Sequence, residues 1–164
     1  MQKLNNLAMS YSTRLEASDL GALSNILARS GFFTSEEVSV AREILEEGLN
    51  NPASSYNFIV AKSKTQVLGY ACYGRIMNTK DRYDLYWLAV EPKLRRLGLG
   101  RGLVEKVEEF LKGASGGRIY VQTSGRKLYE PTRYFYKSLG YDQVAELHDY
   151  YSPGDSLVIF MKEI

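Results

Sequence analysis

The segment Trp87-Leu88-Ala89-Val90-Glu91-Pro92-Lys93-Leu94-Arg95-Arg96-Leu97-Gly98-Leu99-Gly100-Arg101-Gly102 constrains this 164-residue chain more than any other. An apolar strand runs to Val90, a basic loop follows, and glycines open a helix from about Gly98 to Lys112. Leu99, Leu103, Val107 and Phe110 are spaced for its buried face. A helix that starts on glycines presents bare first-turn amides and the positive end of its dipole, so an anion can approach the backbone closely. Arg95, Arg96 and Arg101 add charge around that point, and a diphosphate is the natural guest; the other reading is a glycine-rich helix start with a solvated arginine pair. A Walker loop would need Gly-Lys-Ser/Thr, which is absent. A dinucleotide fingerprint would need Gly-x-Gly-x-x-Gly directly after the strand, whereas Glu91–Leu97 intervene here and the spacing is Gly-x-Gly-x-Gly.

The elements around this turn alternate in period. Ser10–Leu15 reads as a short strand, and Ser18 or Asp19 can cap a helix carrying Leu20, Leu23 and Leu27, with Gly31 as its stop. Thr34-Ser35-Glu36-Glu37 is a capping box opening a helix that buries Val38, Ala41, Leu45 and Leu49. Tyr56–Ala61, Val67–Ile76 and Tyr83–Val90 are β-branched and aromatic runs separated by turns, which predicts two antiparallel connections. After the glycine-opened helix come a strand at Arg118–Thr123 and a short helix at Pro131–Leu139. Strands at Asp142–His148 and Ser156–Lys162 follow, joined by Ser152-Pro153-Gly154-Asp155. The expectation is one α/β domain over residues 1–164: a mixed, mostly antiparallel sheet flanked by helices.

Composition narrows the function classes. With 21 basic and 19 acidic residues the chain lacks the strongly basic face that holding nucleic acid requires, although Lys93–Arg96 with neighbouring aromatics is a weak signal for it. A single cysteine excludes an intrachain disulfide framework and suggests a reducing compartment. No stretch is long and apolar enough for a membrane span, and Met1–Met9 does not read as a signal peptide; a cytoplasmic protein is expected. Thirteen tyrosines gather mainly at Tyr83–Tyr86, Tyr129–Tyr141 and Tyr150–Tyr151, read either as packing at strand edges or as parts of a shared aromatic cleft.

Arg95-x-x-Gly98-x-Gly100 after Leu88-Ala89-Val90 resembles the acyl-CoA-binding motif of the Gcn5-related N-acetyltransferases (GNAT). Arg133-Tyr134-Phe135-Tyr136-Lys137-Ser138-Leu139-Gly140-Tyr141 resembles that family's aromatic helix, and the order of elements agrees from Ser10 to Lys162. The resemblance implies transfer of an acetyl group from acetyl-CoA to a primary amine, by direct attack in a ternary complex and without a metal. The acceptor would be a small molecule, a peptide or a protein. It implies that Leu88, Val90, Arg95, Arg96, Leu97, Gly98, Leu99, Gly100 and Arg101 hold the cofactor. A backbone amide on the Val90 strand would stabilise the oxyanion, and that strand would splay from Arg118–Thr123. Many members carry an asparagine where this chain has Tyr129, so that role is not carried over. A non-catalytic acyl-CoA sensor is the alternative reading, and a homodimer is open.

Amine attack on a thioester needs a base for the ammonium and a proton donor for the thiolate. Tyr136 is the expected acid, since a phenol is protonated at neutral pH and on the helix it is rotated about 100° from the packing face of Phe135 and Leu139; the other reading is a surface or core tyrosine. Asp84 is the candidate base, because strand alternation puts it on the face of Val90, six residues on; the other reading is a solvated aspartate beside Arg82. His148, the sole histidine, reads as structural or as part of the substrate cleft, and Cys72 as a small core residue. The segment Leu147–Asp155 loosely resembles the acceptor-binding loop of the family's protein N-terminal acetylating branch, which raises a peptide amine as acceptor.

Overall fold

A computed structural model describes residues 9–64 and 66–164. The reading of Met1–Met9 falls almost wholly outside them. The elements are β1 (Ser10–Ser12), α1 (Asp19–Ala28), α2 (Ser35–Asn50), β2 (Tyr56–Lys62), β3 (Val67–Arg75), β4 (Arg82–Val90) and α3 (Leu99–Ala114), followed by β5 (Arg118–Ser124), α4 (Glu130–Ser138), β6 (Asp142–Ser152) and β7 (Asp155–Glu163). One seven-stranded sheet runs in the order β1-β2-β3-β4-β5-β7-β6. The β4–β5 pair is parallel and the other pairs are antiparallel. It is the mixed, mostly antiparallel α/β sheet expected.

Helices cover both faces, which explains why the central strands read as continuous apolar runs rather than alternating ones. On β2, Ile59 and Ala61 pack with α3 and α4, while Phe58 and Val60 pack with α1 and α2. Full burial of a leucine such as Leu23, Leu45 or Leu103 stabilises by roughly 1.5–3 kcal/mol. The capping box of α2 forms: the Glu37 amide donates to Thr34 Oγ1 at 3.2 Å, and the Thr34 amide donates to Glu37 Oε2 at 2.8 Å. Among the described residues no helix is long and apolar enough to cross a membrane.

Some local expectations change. β1 stops at Ser12, whose hydroxyl bonds the Arg14 backbone and bends the chain, so Leu15 enters the α1–α2 core instead of extending the strand. Ser18 makes no side-chain cap. The Asp19 carboxylate does the work there, accepting from the Glu16 amide at 3.0 Å and pairing with Lys62 at 2.8 Å. Phe110 is 51% exposed, because the buried stripe of α3 drifts with the helical twist onto Val104 and Leu111. β6 runs to Ser152 as an edge strand exposed along nearly its whole length.

Candidate active site

The site begins with a fault in the β3–β4 ladder. Cys72 opposes Trp87, yet Tyr73 opposes Leu85, so Tyr86 is an extra residue, a β-bulge. The bulge lies across from the Cys72–Tyr73 step, one residue from Gly74, where a side chain has no room: a Cβ there would lie 2.6 Å from the Ser55 carbonyl and 3.0 Å from the Tyr86 ring. An extra residue reverses the alternation of facing. Before the bulge Tyr83 and Leu85 face α3; after it Leu88 and Val90 do, while Trp87 and Ala89 face α1 and α2.

Beyond the bulge the sheet forks. β4 and β5 pair only through Arg82–Asp84 and Arg118–Tyr120. Past that point they diverge, and residues 85–90 and 121–124 line a cleft of about 990 Å³. Backbone groups on the β5 side of Leu88–Val90 therefore have no strand partner. The Thr123 hydroxyl, buried in the wall, has no hydrogen-bond partner among the described residues.

The glycine-opened helix closes one end of the cleft. Pro92–Leu94 form a 3-10 turn, Arg96 takes a left-handed φ of 63°, and Gly98 enters α3 at φ 93° without a side-chain cap. A non-glycine residue held left-handed costs about 1–3 kcal/mol, a strain typical of ligand-binding turns. The first-turn amides of Leu99, Gly100 and Arg101 have no intrahelical acceptor. Gly98, Gly100, Arg96 and Arg101 line the cleft, as do Leu88 and Val90. The uncapped turn, two glycines and the orphaned Thr123 hydroxyl together suit a diphosphate with an amide-bearing arm.

With this geometry stand three comparisons. The sequence model of the Acetyltransferase (GNAT) family matches residues 21–141. The chain belongs to this family. A solved GNAT-family structure from Desulfovibrio desulfuricans is 35% identical with a TM-score of 0.91, over 95% of this chain and 99% of that one. The N-alpha-acetyltransferase RimI of Mycobacterium tuberculosis is 29% identical over 101 residues, 60% of this chain and 61% of its own. An uncharacterised Mycobacterium leprae protein is 31% identical over 101 residues, which is 60% of this chain and 27% of that protein. The chain thus spans 27% and 61% of the lengths of these two curated relatives.

Within the GNAT domain several candidate residues take places the sequence did not foretell. The Arg95 guanidinium turns away from the helix start, donating to the Ser30 carbonyl at 2.7 Å and lying 4.9 Å over the Phe32 ring. It ties the α1–α2 loop to the turn and lines the same cleft as Arg96 and Arg101; Arg101 also reaches the Ser138 carbonyl at 3.4 Å. Leu99 is buried in the core, and neither Leu97 nor Leu99 lines the cleft, so each can offer only backbone to a ligand.

Tyr136 lines the cleft although it is only 4% exposed. Its ring packs against Phe135, Tyr141 and Phe160 at centroid distances of 5.1, 5.6 and 6.2 Å. The expected division of the helix into packing and cleft faces is thus blurred, since Tyr136 packs and Phe135 also lines the cleft. No partner of the Tyr136 hydroxyl is found among the described residues. Burial pushes the phenol's pKa up, so it keeps its proton. Tyr129 is buried and donates its hydroxyl to the Phe32 carbonyl at 2.7 Å.

Asp84 does not share a face with Val90, because the bulge at Tyr86 inverts the alternation between them. It sits at the fork's apex, opposite Gly74 and Tyr120, on the α1–α2 face. It is not part of the cleft wall; its neighbour Tyr86 is. Desolvation raises its pKa above the ordinary carboxylate range. The His148 side chain is 83% exposed and outside the cleft. Cys72 is fully buried in the α1–α2 core, where desolvation pushes its thiol pKa up, as befits a packing residue.

Proposed function

We propose that this GNAT domain transfers an acetyl group from acetyl-CoA to a primary amine by direct attack in a ternary complex. The observation that carries the reading is the fork. It gathers unpaired backbone of Leu88–Val90, the uncapped start of α3 and the Tyr136 hydroxyl along one cleft. Bound there, acetyl-CoA would supply an activated thioester carbonyl. The first-turn amides of α3, with Arg96 and Arg101, hold and neutralise the diphosphate. An amide of the Leu88–Val90 strand donates to the carbonyl oxygen as it gains charge. Tyr136 donates to the departing sulfur, and the cleft's aromatic walls limit water. Family members take amines of small molecules or of proteins as acceptors.

The test is calorimetric and kinetic. Acetyl-CoA binds the native state and raises its thermal midpoint by mass action, by about 2.7 kcal/mol of stability at a hundred times Kd. Thiol release in the presence of an amine then separates transfer from mere binding. A protein that binds acetyl-CoA but releases no thiol with any amine would be a sensor; one that does not bind it at millimolar concentration removes the reading.

Asp84 acts, in this proposal, as a proton acceptor reaching the amine through Tyr86 or water. Asp84→Asn then lowers turnover most at mildly acidic pH with acetyl-CoA affinity nearly unchanged, and an unaltered pH–rate profile would take Asp84 out of the mechanism. Stability gives a second check. A carboxyl whose folded pKa is raised binds its proton more tightly in the native state, so it favours folding at low pH. That contribution is lost as pH rises through the folded value. Asp84→Asn is therefore expected to raise Tm at pH 7, with the gain shrinking as pH falls towards the unfolded carboxyl's value of about 3.9.

A further inference from the structure

We infer that the acceptor is a small primary amine of single positive charge carried on an aromatic or similarly flat apolar group. The inference rests on the acetyl-transfer reading and names its substrate class. The cleft is lined from the α3–α4 face by Leu88, Val90, Phe135 and Tyr136 and from the α1–α2 face by Phe33, Trp87 and Ala89, and the acceptor is assigned to the second side. Six aromatic side chains line the cleft apart from the α4 pair. They are Phe32 and Phe33 from the α1–α2 loop, Tyr86 and Trp87 from the bulged part of β4, Tyr129 before α4 and Tyr151 near the end of β6. They come from four separate segments. Phe33 meets Trp87 edge-on at 5.2 Å, and Phe32 meets Tyr129 at 5.8 Å. One face of Phe32 and one of Tyr129 are taken by Arg95 and Arg126, at 4.9 and 5.5 Å from the ring centroids, so the rings open to another ring are chiefly Phe33, Tyr86, Trp87 and Tyr151.

Charge decides between acceptor classes. The cleft wall holds two carboxylates, Glu37 and Asp155. Asp155 accepts from the Ser124 hydroxyl and pairs with Arg126 at 3.0 Å, so its charge is already answered. Glu37 caps α2 through one oxygen and has no cationic partner among the described residues, leaving it to face a single ammonium. Arg95, Arg96, Arg101 and Arg126 also line the cleft. A polyamine or aminoglycoside would bring several ammonium groups to a wall with one carboxylate free of a cation, and would be repelled by those arginines. A monocationic arylalkylamine meets one carboxylate and a set of rings.

Trp87 is the sequence's only tryptophan and lines the cleft, so its emission reports occupancy independently of turnover. In the presence of coenzyme A, 2-phenylethylamine is expected to change that emission saturably, and propylamine and spermidine are not. In thiol release with acetyl-CoA, kcat/KM for 2-phenylethylamine is expected to exceed that for propylamine, spermidine, kanamycin and an alanine-led octapeptide by roughly tenfold, the scale of one or two ring–ring contacts. Tyr151→Ala, at a half-exposed position, should raise KM for 2-phenylethylamine several-fold while leaving kcat and acetyl-CoA affinity unchanged. Thiol release that favours spermidine, kanamycin or the peptide keeps acetyl transfer and overturns the aromatic acceptor. A saturable Trp87 response with no thiol release from any amine keeps the aromatic-amine site and removes transfer. Absence of both overturns the inference.

Discussion

Tyr136→Phe is expected to lower turnover on the order of 10²–10⁴-fold, the usual contribution of a positioned proton donor. The substitution keeps a ring that is already packed against Phe135, Tyr141 and Phe160 and deletes one hydroxyl that bonds no described residue. Fold stability should therefore change by less than about 1 kcal/mol, and acetyl-CoA affinity by no more than one neutral hydrogen bond is worth. Burial raises the phenol's pKa further above that of a thiol, which favours a hydrogen bond to the developing thiolate over complete proton transfer. A thiol's ordinary pKa of about 8.5 lies below that of the phenol, so in the proposed transfer Tyr136 would donate a hydrogen bond to the sulfur as its charge develops and keep its own proton, the thiolate taking its proton from the ammonium or from solvent. No alkaline loss of activity near pH 8–9 should then trace to Tyr136. Tyr134→Phe is the control, since Tyr134 is 74% exposed on the outer side of α4 and should behave as wild type. Stopped-flow or steady-state thiol release decides it: equal activity of Tyr136→Phe and wild type ends the donor assignment and leaves the fold untouched.

The second large effect is on binding. Gly100→Val should weaken acetyl-CoA on the order of 10²-fold or more, measured by calorimetry, while the protein stays folded. Room exists for the chain itself: a Cβ at Gly100 would meet the Phe135 ring at 3.5 Å, an ordinary contact, and valine is no worse than glycine in a helix. What the branched side chain removes is the space by which a diphosphate reaches the first-turn amides. Losing two charge-assisted hydrogen bonds at about 1.5–3 kcal/mol each accounts for the magnitude. Gly98→Ala is the contrasting case. Its φ of 93° is strained for any L side chain, so that variant loses stability, by roughly 1–2 kcal/mol, even though nothing stands within 4 Å of the added carbon. An unchanged acetyl-CoA Kd in Gly100→Val would move the cofactor away from this turn.

The features legible in the sequence are those built from neighbours along the chain. The turn into α3 is one: Arg96, Gly98 and Gly100 set its backbone, and free first-turn amides follow from any helix start. The α2 capping box, the succession of elements and the burial of Cys72 are others. Features that depend on what lies across the sheet were not legible. Strand alternation placed Asp84 beside Val90, and only the pairing of Tyr73 with Leu85 and Cys72 with Trp87 reveals the extra residue that parts them. Gly74, whose missing side chain leaves room for the Tyr86 ring, was the available signal, but reading it requires the β2–β3–β4 register. The sequence grouped Arg95 with Arg96 and Arg101 around the helix start, whereas the partners its guanidinium takes, Ser30 and Phe32, lie far away along the chain. The aromatic wall likewise needs the loop after α1, the bulge, the turn before α4 and the end of β6 to be brought together. Local backbone chemistry thus determined the uncapped, glycine-opened turn that suits a diphosphate; register and packing between distant segments decided how β4 forks, which way its carboxylate faces and which side chains line the cleft.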